Sequence, residues 1–557
     1  MKTFALALAL LLLPVSAFGQ VKTLYVDGAS LGGACSDAAG NTRATNSITT
    51  PWCTIEVADG LVLAGDTVLV RAGTYSVDAH LDKDGTSWSV PITWKSYPRR
   101  AATIVGQTAT AAVDLYGDYL IFEGFNVTTD YVPACLGYGG RGIEFRVDHG
   151  KAIDNYVYDC PFTGIGSQAG ARDDIEIRDN HIYKCSSGIY GFGTHWLIQN
   201  NDIERLYWWP DKCDVDSDYM YLYLGYSVIK GNYLHDTIQA EIDYTAYCTG
   251  DGTPYALCHD VGECVVAGTC GAHVDCAAAF TTAVDAQKNL YDDNIFMDFH
   301  QGIMTNYDTG NHHWIVRNNV FAHELGGISG IAVDIKGLNN IYVYNNTIYD
   351  LKTYGVWAQV DTATPNYIMV KNNIFDLMDA GYPYVLTGAN SLGDYNDVYA
   401  CAHAASPAGV NDIATDPLMV SPATGDFNLV PASPANNGGS WLTTITTATG
   451  SGTSFTVADA GYFWDGQGVT TGDVIRFQTS LERRTITDIT GNVITVSQSV
   501  SWTTGDGIAY NFTGTLPDMG AKEYGVEPGT CALSTSGTGQ MNFGSGGTGR
   551  IELSQEP

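Results

Sequence analysis

AIDNYVYDC at residues 152–160 and IRDNHIYKC at 177–185 are one phrase written twice. It returns as IQNNDIERL at 198–206, IKGNYLHDT at 229–237, LYDDNIFMD at 290–298, IVRNNVFAH at 315–323, VYNNTIYDL at 343–351 and VKNNIFDL at 370–377. Aligning the polar residue two places before the Val, Ile or Leu puts Asn155, Asn180, Asn201, Asn232, Asp293, Asn318, Asn346 and Asn372 in one column, at successive spacings of 25, 21, 31, 61, 25, 28 and 26. A unit repeated at such a period cannot bury its apolar face alone, so neighbours must stack into a solenoid. Within each phrase apolar and polar residues alternate, as in a short half-buried strand, with Asn or Gly where a corner must form. A second landmark follows in most coils: RGIEF from Arg141, TGIGS from Thr163, SGIYG from Ser187, QGIMT from Gln301, SGIAV from Ser329 and YGVWA from Tyr354. Each coil therefore has at least two strands, and the fold class expected is all-β, a right-handed parallel β-helix. Stacked coils place like on like, so the Asn column reads as a structural ladder. The 61-residue gap leaves room for an extra coil and an insertion.

Outside the repeat, the first 19 residues read as a secretory signal peptide: Lys2, an apolar run from Phe4 to Pro14, and a small-residue exit at Ala17 and Gly19. No later run is long enough to span a bilayer, so export without membrane insertion is expected. The balance of 27 Lys+Arg against 60 Asp+Glu, net −33, excludes partners held by bulk attraction to phosphate or anionic lipid, nucleic acid among them. Thirteen cysteines suit an oxidising compartment. Five of them, Cys248, Cys258, Cys264, Cys270 and Cys276, crowd one insertion at about 244–276, without the short pairs of a zinc site. Cys160 and Cys185 close successive phrases and are the first disulfide expected. Cys35 and Cys53 are the second.

At the N-terminus TLYVDGAS, PWCTIEVA, GDTVLVRAGTY and PITWKSYP occur in the order seen at the start of bacterial pectate-lyase-like β-helix proteins, and TDPLMV, GDFNLVPASPA and PDMGAKEYG fit their far end. The chain resembles that superfamily over about residues 22–438 and 515–525. The resemblance implies a parallel β-helix over 20–438 and a closing strand at 517–528. Between them, at 439–516, short strands with a Gly491-Asn492 turn suggest a small inserted all-β module, a glycan binder or a structural cap. A Gly/Ser/Thr-rich tail occupies 529–557.

The superfamily includes polysaccharide lyases, glycoside hydrolases, epimerases and non-catalytic adhesins, so the resemblance implies a polysaccharide partner and leaves the chemistry to individual residues. Tyr207, Trp208 and Trp209 supply aromatic faces for sugar rings, and Asp214, Asp216 and Asp218 supply hard oxygen ligands for calcium, the candidate cofactor. A solvated acidic loop explains the same residues. HVDC from His273 resembles the histidine–aspartate phrase of β-helix polysaccharide enzymes, and Asp275 aligns with Gln301 one coil later, beside His300. His273, Asp275 and His300 are candidate catalytic residues, with Gln301 on substrate; polar corner residues bonded to backbone are the alternative. Asp334 and Lys336, two residues apart on one strand, share a face. Lys336 there could abstract the C5 proton of a uronate, or simply form a surface ion pair. The grouped motifs of polygalacturonase-like hydrolases are missing. The reading favoured is a lyase of a uronic-acid-containing glycan. The alternative is a non-catalytic rod, adhesin or self-associating fibre subunit.

Overall fold

In the computed structural model the described residues are 20–131, 139–167, 170–207, 218–238, 274–280, 288–306, 311–325, 330–360 and 364–525, with backbone only at 278–280, 306 and 311. Each coil carries three short strands. In one coil these are Glu176–Arg178 on a first face, His181–Tyr183 on a second and Ser187–Thr194 on a third; the next coil repeats them as Leu197–Gln199, Asp202–Glu204 and Met220–Gly225. All three pairings are parallel and in register: Ile177 over Ile198, Ile182 over Ile203, Ile189 over Met220. Alternation turns these residues inward, where each is fully buried. The chain is thus a right-handed parallel β-helix whose core is a set of aliphatic columns. One short helix, Ile55–Leu61, starts at Thr54, whose hydroxyl accepts the Val57 N–H.

The Asn ladder stands at the corner between the first and second faces. Asn180 Oδ1 accepts both the backbone and the side-chain N–H of Asn155, at 2.9 and 3.0 Å. The pattern continues through Asn201, Asn232, Asn294, Asn319, Asn346, Asn373 and Asn396. Each amide also donates to a carbonyl of the preceding coil, as Asn201 does to Ile177, so these buried groups are satisfied. The residue before each ladder Asn turns the corner in the left-handed region; Asp154, Asp179, Asn200, Asp293, Asn318, Asn345 and Asn372 have φ of 53–58°.

Three members of the aligned column are therefore displaced by one residue: the ladder holds Asn294, Asn319 and Asn373, not Asp293, Asn318 and Asn372. In those coils the inward residue is Phe296, Phe321 or Phe375, and a one-residue slip exchanges inside for outside. The misleading aliphatics, Val320 and Ile374, point outward and are apolar because later segments cover them with Phe427, Leu429, Ala435 and Met519. The long gap holds no extra coil. Asn232 bonds Asn294 directly, and Ser227–Lys230 pairs with Asn289–Asp292, so the excess residues lie within one coil, between Tyr233–His235 and Asp275–Phe280. Most of the cysteine-rich insertion, like the leader and the tail, falls outside the described residues.

Residues 443–510 form a six-stranded antiparallel sheet that covers the later part of the first face. Outward Val228, Leu290, Ile315, Tyr342, Tyr344 and Met369 share one apolar cluster with Phe463, Trp464, Ile475 and Ile508. Beneath it Arg317 is enclosed, bonded to both oxygens of Asp473 at 2.6 and 2.7 Å and to Asp292 at 3.2 Å, with the Tyr510 ring 3.9 Å away. The chain leaves and rejoins the coil at adjacent points, since Gly439 N–H donates to the Pro517 carbonyl.

Cys35 and Cys53 form a disulfide. Cys160 and Cys185 do not: both are buried free thiols, each directed at the carbonyl two residues back. The two thiols hydrogen-bond to each other, and this contact together with burial pushes the Cys160 thiol well above its ordinary value.

Candidate functional site

The third face collects the chemistry. Its outward central column runs in register through Glu144, Gly166, Tyr190, Tyr221, Met304, Asp334 and Trp357, with the Ala278 backbone between Tyr221 and Met304. The Tyr190 and Tyr221 rings stack at 5.2 Å, and Tyr221 and Tyr223 hydroxyls meet at 3.2 Å. At the other end Trp357 stacks on Tyr354 at 4.4 Å, and Tyr354 on Tyr382 at 5.7 Å. Tyr221 and Trp357 are four coil steps apart, about 19 Å at the strand spacing. Aromatic surfaces thus bracket a polar interval long enough for several sugar rings.

Within that interval lie Asp218, Asp275, Asp334, Gln301 and Lys336. Asp275 stands in register with Gln301, and its N–H donates to Asp218 Oδ1 at 3.2 Å. Asp334 faces Lys336 Nζ at 3.4 Å and accepts from Gln359 Nε2 at 2.6 Å. Burial pushes the Asp334 carboxyl up, Lys336 and Gln359 pull it back, and the Asp275 charge adds to the rise, with a net upward shift. All three aspartates are nearly inaccessible, while Lys336 keeps partial exposure. Oxygen donors from Asp218, Asp275 and Gln301 on successive coils have the chemistry of a hard-cation set.

His300 is buried, and its Nδ1 accepts the Val274 N–H at 3.2 Å. That bond makes the imidazole a support for the strand carrying Asp275. Tyr207 sits at the corner before the third face, its ring 5.4 Å from Lys184 Nζ. Trp208, Trp209, Asp214, Asp216 and His273 lie outside the described residues. The aromatic column and Gln359 escaped the sequence reading, although Tyr190 and Tyr221 follow their strands' inward residues at the same offset.

No family model and no curated protein matches the chain. Solved structures with a similar coil include the pectate lyase Pel9A, at 14% identity and TM-score 0.41, covering 90% of this chain and 97% of that one. Others are XylC in complex with xylose, at 11% and 0.46, covering 88% and 100%, and a GH136 lacto-N-biosidase from Eubacterium ramulus, at 13% and 0.43, covering 67% and 68%. These likenesses stop at the architecture. The class the strand pairing defines is the right-handed parallel β-helix.

Proposed function

We propose that this chain is a secreted polysaccharide-active protein that works on its third face as a lyase of a uronic-acid-containing glycan. One observation carries the reading: the partly exposed amine of Lys336 faces Asp334 at 3.4 Å on the strand face that also carries Asp218, Asp275 and Gln301, in an interval bracketed by Tyr221 and Trp357. Sugar rings stack on the aromatic ends and place a uronate over the polar interval. Lys336 removes the C5 proton; the electron pair forms the C4–C5 double bond as the C4–O bond breaks, and the departing oxygen takes that proton back from the Lys336 amine. Asp218, Asp275 and Gln301 would hold calcium, which when bound neutralises the uronate carboxylate and makes the C5 proton more acidic. Asp334 and Gln359 orient the amine.

The alternative, a non-catalytic extracellular rod or adhesin, draws on the near-complete burial of the three aspartates and the backbone bond of His300. Purified protein incubated with a panel of uronate polymers, with and without calcium, separates the two. Absorbance from a new C4–C5 double bond, lost in Lys336→Met, supports the lyase; absence of signal on every uronate polymer refutes it.

A further inference from the structure

The second face carries a cluster that the third-face chemistry does not use. Glu204 and His235 are register partners on adjacent coils, and Asp236 turns the corner immediately after His235 with φ 59°. One ligand atom from each of the three lies within 4.8 Å of the others. We propose that Glu204, His235 and Asp236 form a mononuclear transition-metal site of the zinc class, separate from the glycan site, with His235 Nδ1 and one oxygen of each carboxylate as ligands.

The surroundings point to a ligand on Nδ1. Asp202, which is not one of the three, lies 2.8 Å from His235 Nε2 and holds that nitrogen as the donor. A metal-bound histidine characteristically gives its other N–H to a carboxylate in this way, which fixes the ring and raises its basicity. Nδ1 is directed the opposite way, 2.9 Å from Asp236 Oδ2. The ring is stacked on Tyr233 at 3.7 Å, and the Asp236 corner is pinned because its N–H donates to Asp298 Oδ2 at 2.7 Å. Glu204 receives His181 Nε2 on one oxygen at 2.9 Å, leaving its second oxygen for the ion. One imidazole with two carboxylates is a borderline-soft set that suits zinc, cobalt or nickel better than calcium, and three protein ligands leave an open position.

The test uses the whole chain, stripped with chelator and titrated with Zn²⁺ by calorimetry and with Co²⁺ by visible absorption. One equivalent is expected to bind, with a d–d spectrum characteristic of nitrogen and oxygen ligation. Asp236→Asn, at an exposed corner where folding is not at stake, should weaken binding at least 10-fold. Asp202→Asn should weaken it 10- to 100-fold, the range for an outer-shell partner, while Asp275→Asn on the third face leaves it unchanged. Failure of the wild type to bind either ion, or wild-type affinity in both Asp236→Asn and Asp202→Asn, would overturn the proposal.

Discussion

Removing the Asp473 carboxylate should release the inserted module from the coil. Arg317 is about 1% exposed, and Asp473 supplies its two shortest bonds, 2.6 and 2.7 Å. Asp292 remains at 3.2 Å but is shared with Lys230 at 2.8 Å. Breaking one side of a buried pair leaves a charge without its partner and costs about 3–5 kcal/mol. Asp473 also accepts the Trp464 N–H at 2.9 Å, and leaving that donor unmet adds about 1 kcal/mol. Asp473→Ala is therefore expected to lose about 4–6 kcal/mol, read as earlier loss of hydrogen-exchange protection in Arg483–Thr490 and Val493–Trp502 and as a lower urea midpoint. Arg317→Met combined with Asp473→Leu removes both charges and leaves Asp292 with Lys230, so the double variant should lose less than Asp473→Ala alone. A single variant within about 1 kcal/mol of wild type, or a double variant worse than the single, refutes the claim that this pair governs docking. The acid side follows by linkage. Burial alone would raise the Asp292 carboxyl, but Arg317 and Lys230 hold it well below the usual range. Its contribution is thus present above about pH 4, the unfolded value, and is lost as pH falls further.

Three shorter tests bear on register, pH and chemistry. Asn294→Ala should cost about 3 kcal/mol in urea unfolding, because it leaves the buried Asn232 N–H without an acceptor along with its own carbonyl partner, whereas Asp293→Asn, at the exposed corner, should stay within about 0.5 kcal/mol; equal losses would contradict the ladder assignment. Burial, then neighbouring acidic charge, pushes the Asp397 carboxyl to about 7 and the Asp376 carboxyl to about 6. Folded values above the unfolded value of about 3.9 mean that the native state holds extra protons, so stability falls as pH rises from about 4 to 7; melting temperature across that range should decline less in Asp397→Asn, and parallel curves would count against it. Lys336→Met should reduce any lyase turnover by at least about 10²-fold with the urea midpoint little changed, and retention of turnover would remove Lys336 from the chemistry.

How much of this was legible depended on which side of a strand carried the signal. The coil period and most of the ladder could be read because buried aliphatics and corner asparagines recur together, as in Ile177, Asn180 and Ile182 followed by Ile198, Asn201 and Ile203. The register failed at Asp293, Asn318 and Asn372, where a Phe lies inside; at Val320 and Ile374 a distant segment also makes the outside position apolar. Alternation cannot anticipate a cover that arrives a hundred residues later. On the third face, Asp275 over Gln301 and the two-residue step from Asp334 to Lys336 followed from strand geometry alone. His300 sits at a corner, where alternation does not determine side-chain direction, and both readings of it were open in the sequence. Glu204 and His235 occupy the same seventh position in IQNNDIERL and IKGNYLHDT, so their stacking was available to the alignment. What the alignment lacked was Asp202 on the far side of the ring, which turns a pair of neighbours into an oriented ligand set.

The covers also decide where function can reside. Every coil presents three faces, and a solenoid has no chemical reason to favour one of them. The later part of the first face is closed by residues 443–510, whose apolar side merges with Val228 through Met369. The later part of the second face is closed by Phe427, Leu429, Ala435 and Met519 over Val320, Tyr349 and Ile374. Where covers lie, outward positions are mostly aliphatic or aromatic, and the buried charges among them, Arg317 and Asp292, are paired with each other, Arg317 also with Asp473 of the cover. Where they do not, as at Tyr156, His181, Asp202 and Tyr233 on the second face and at Tyr190, Tyr221 and Trp357 on the third, the outward residues are polar or aromatic and partly accessible. The composition of each outward column therefore records whether protein or solvent faces it. By that criterion, the third face, the early second face and the early first face, where Lys95, Glu123, Lys151 and Glu176 point outward, are the surfaces open to a ligand.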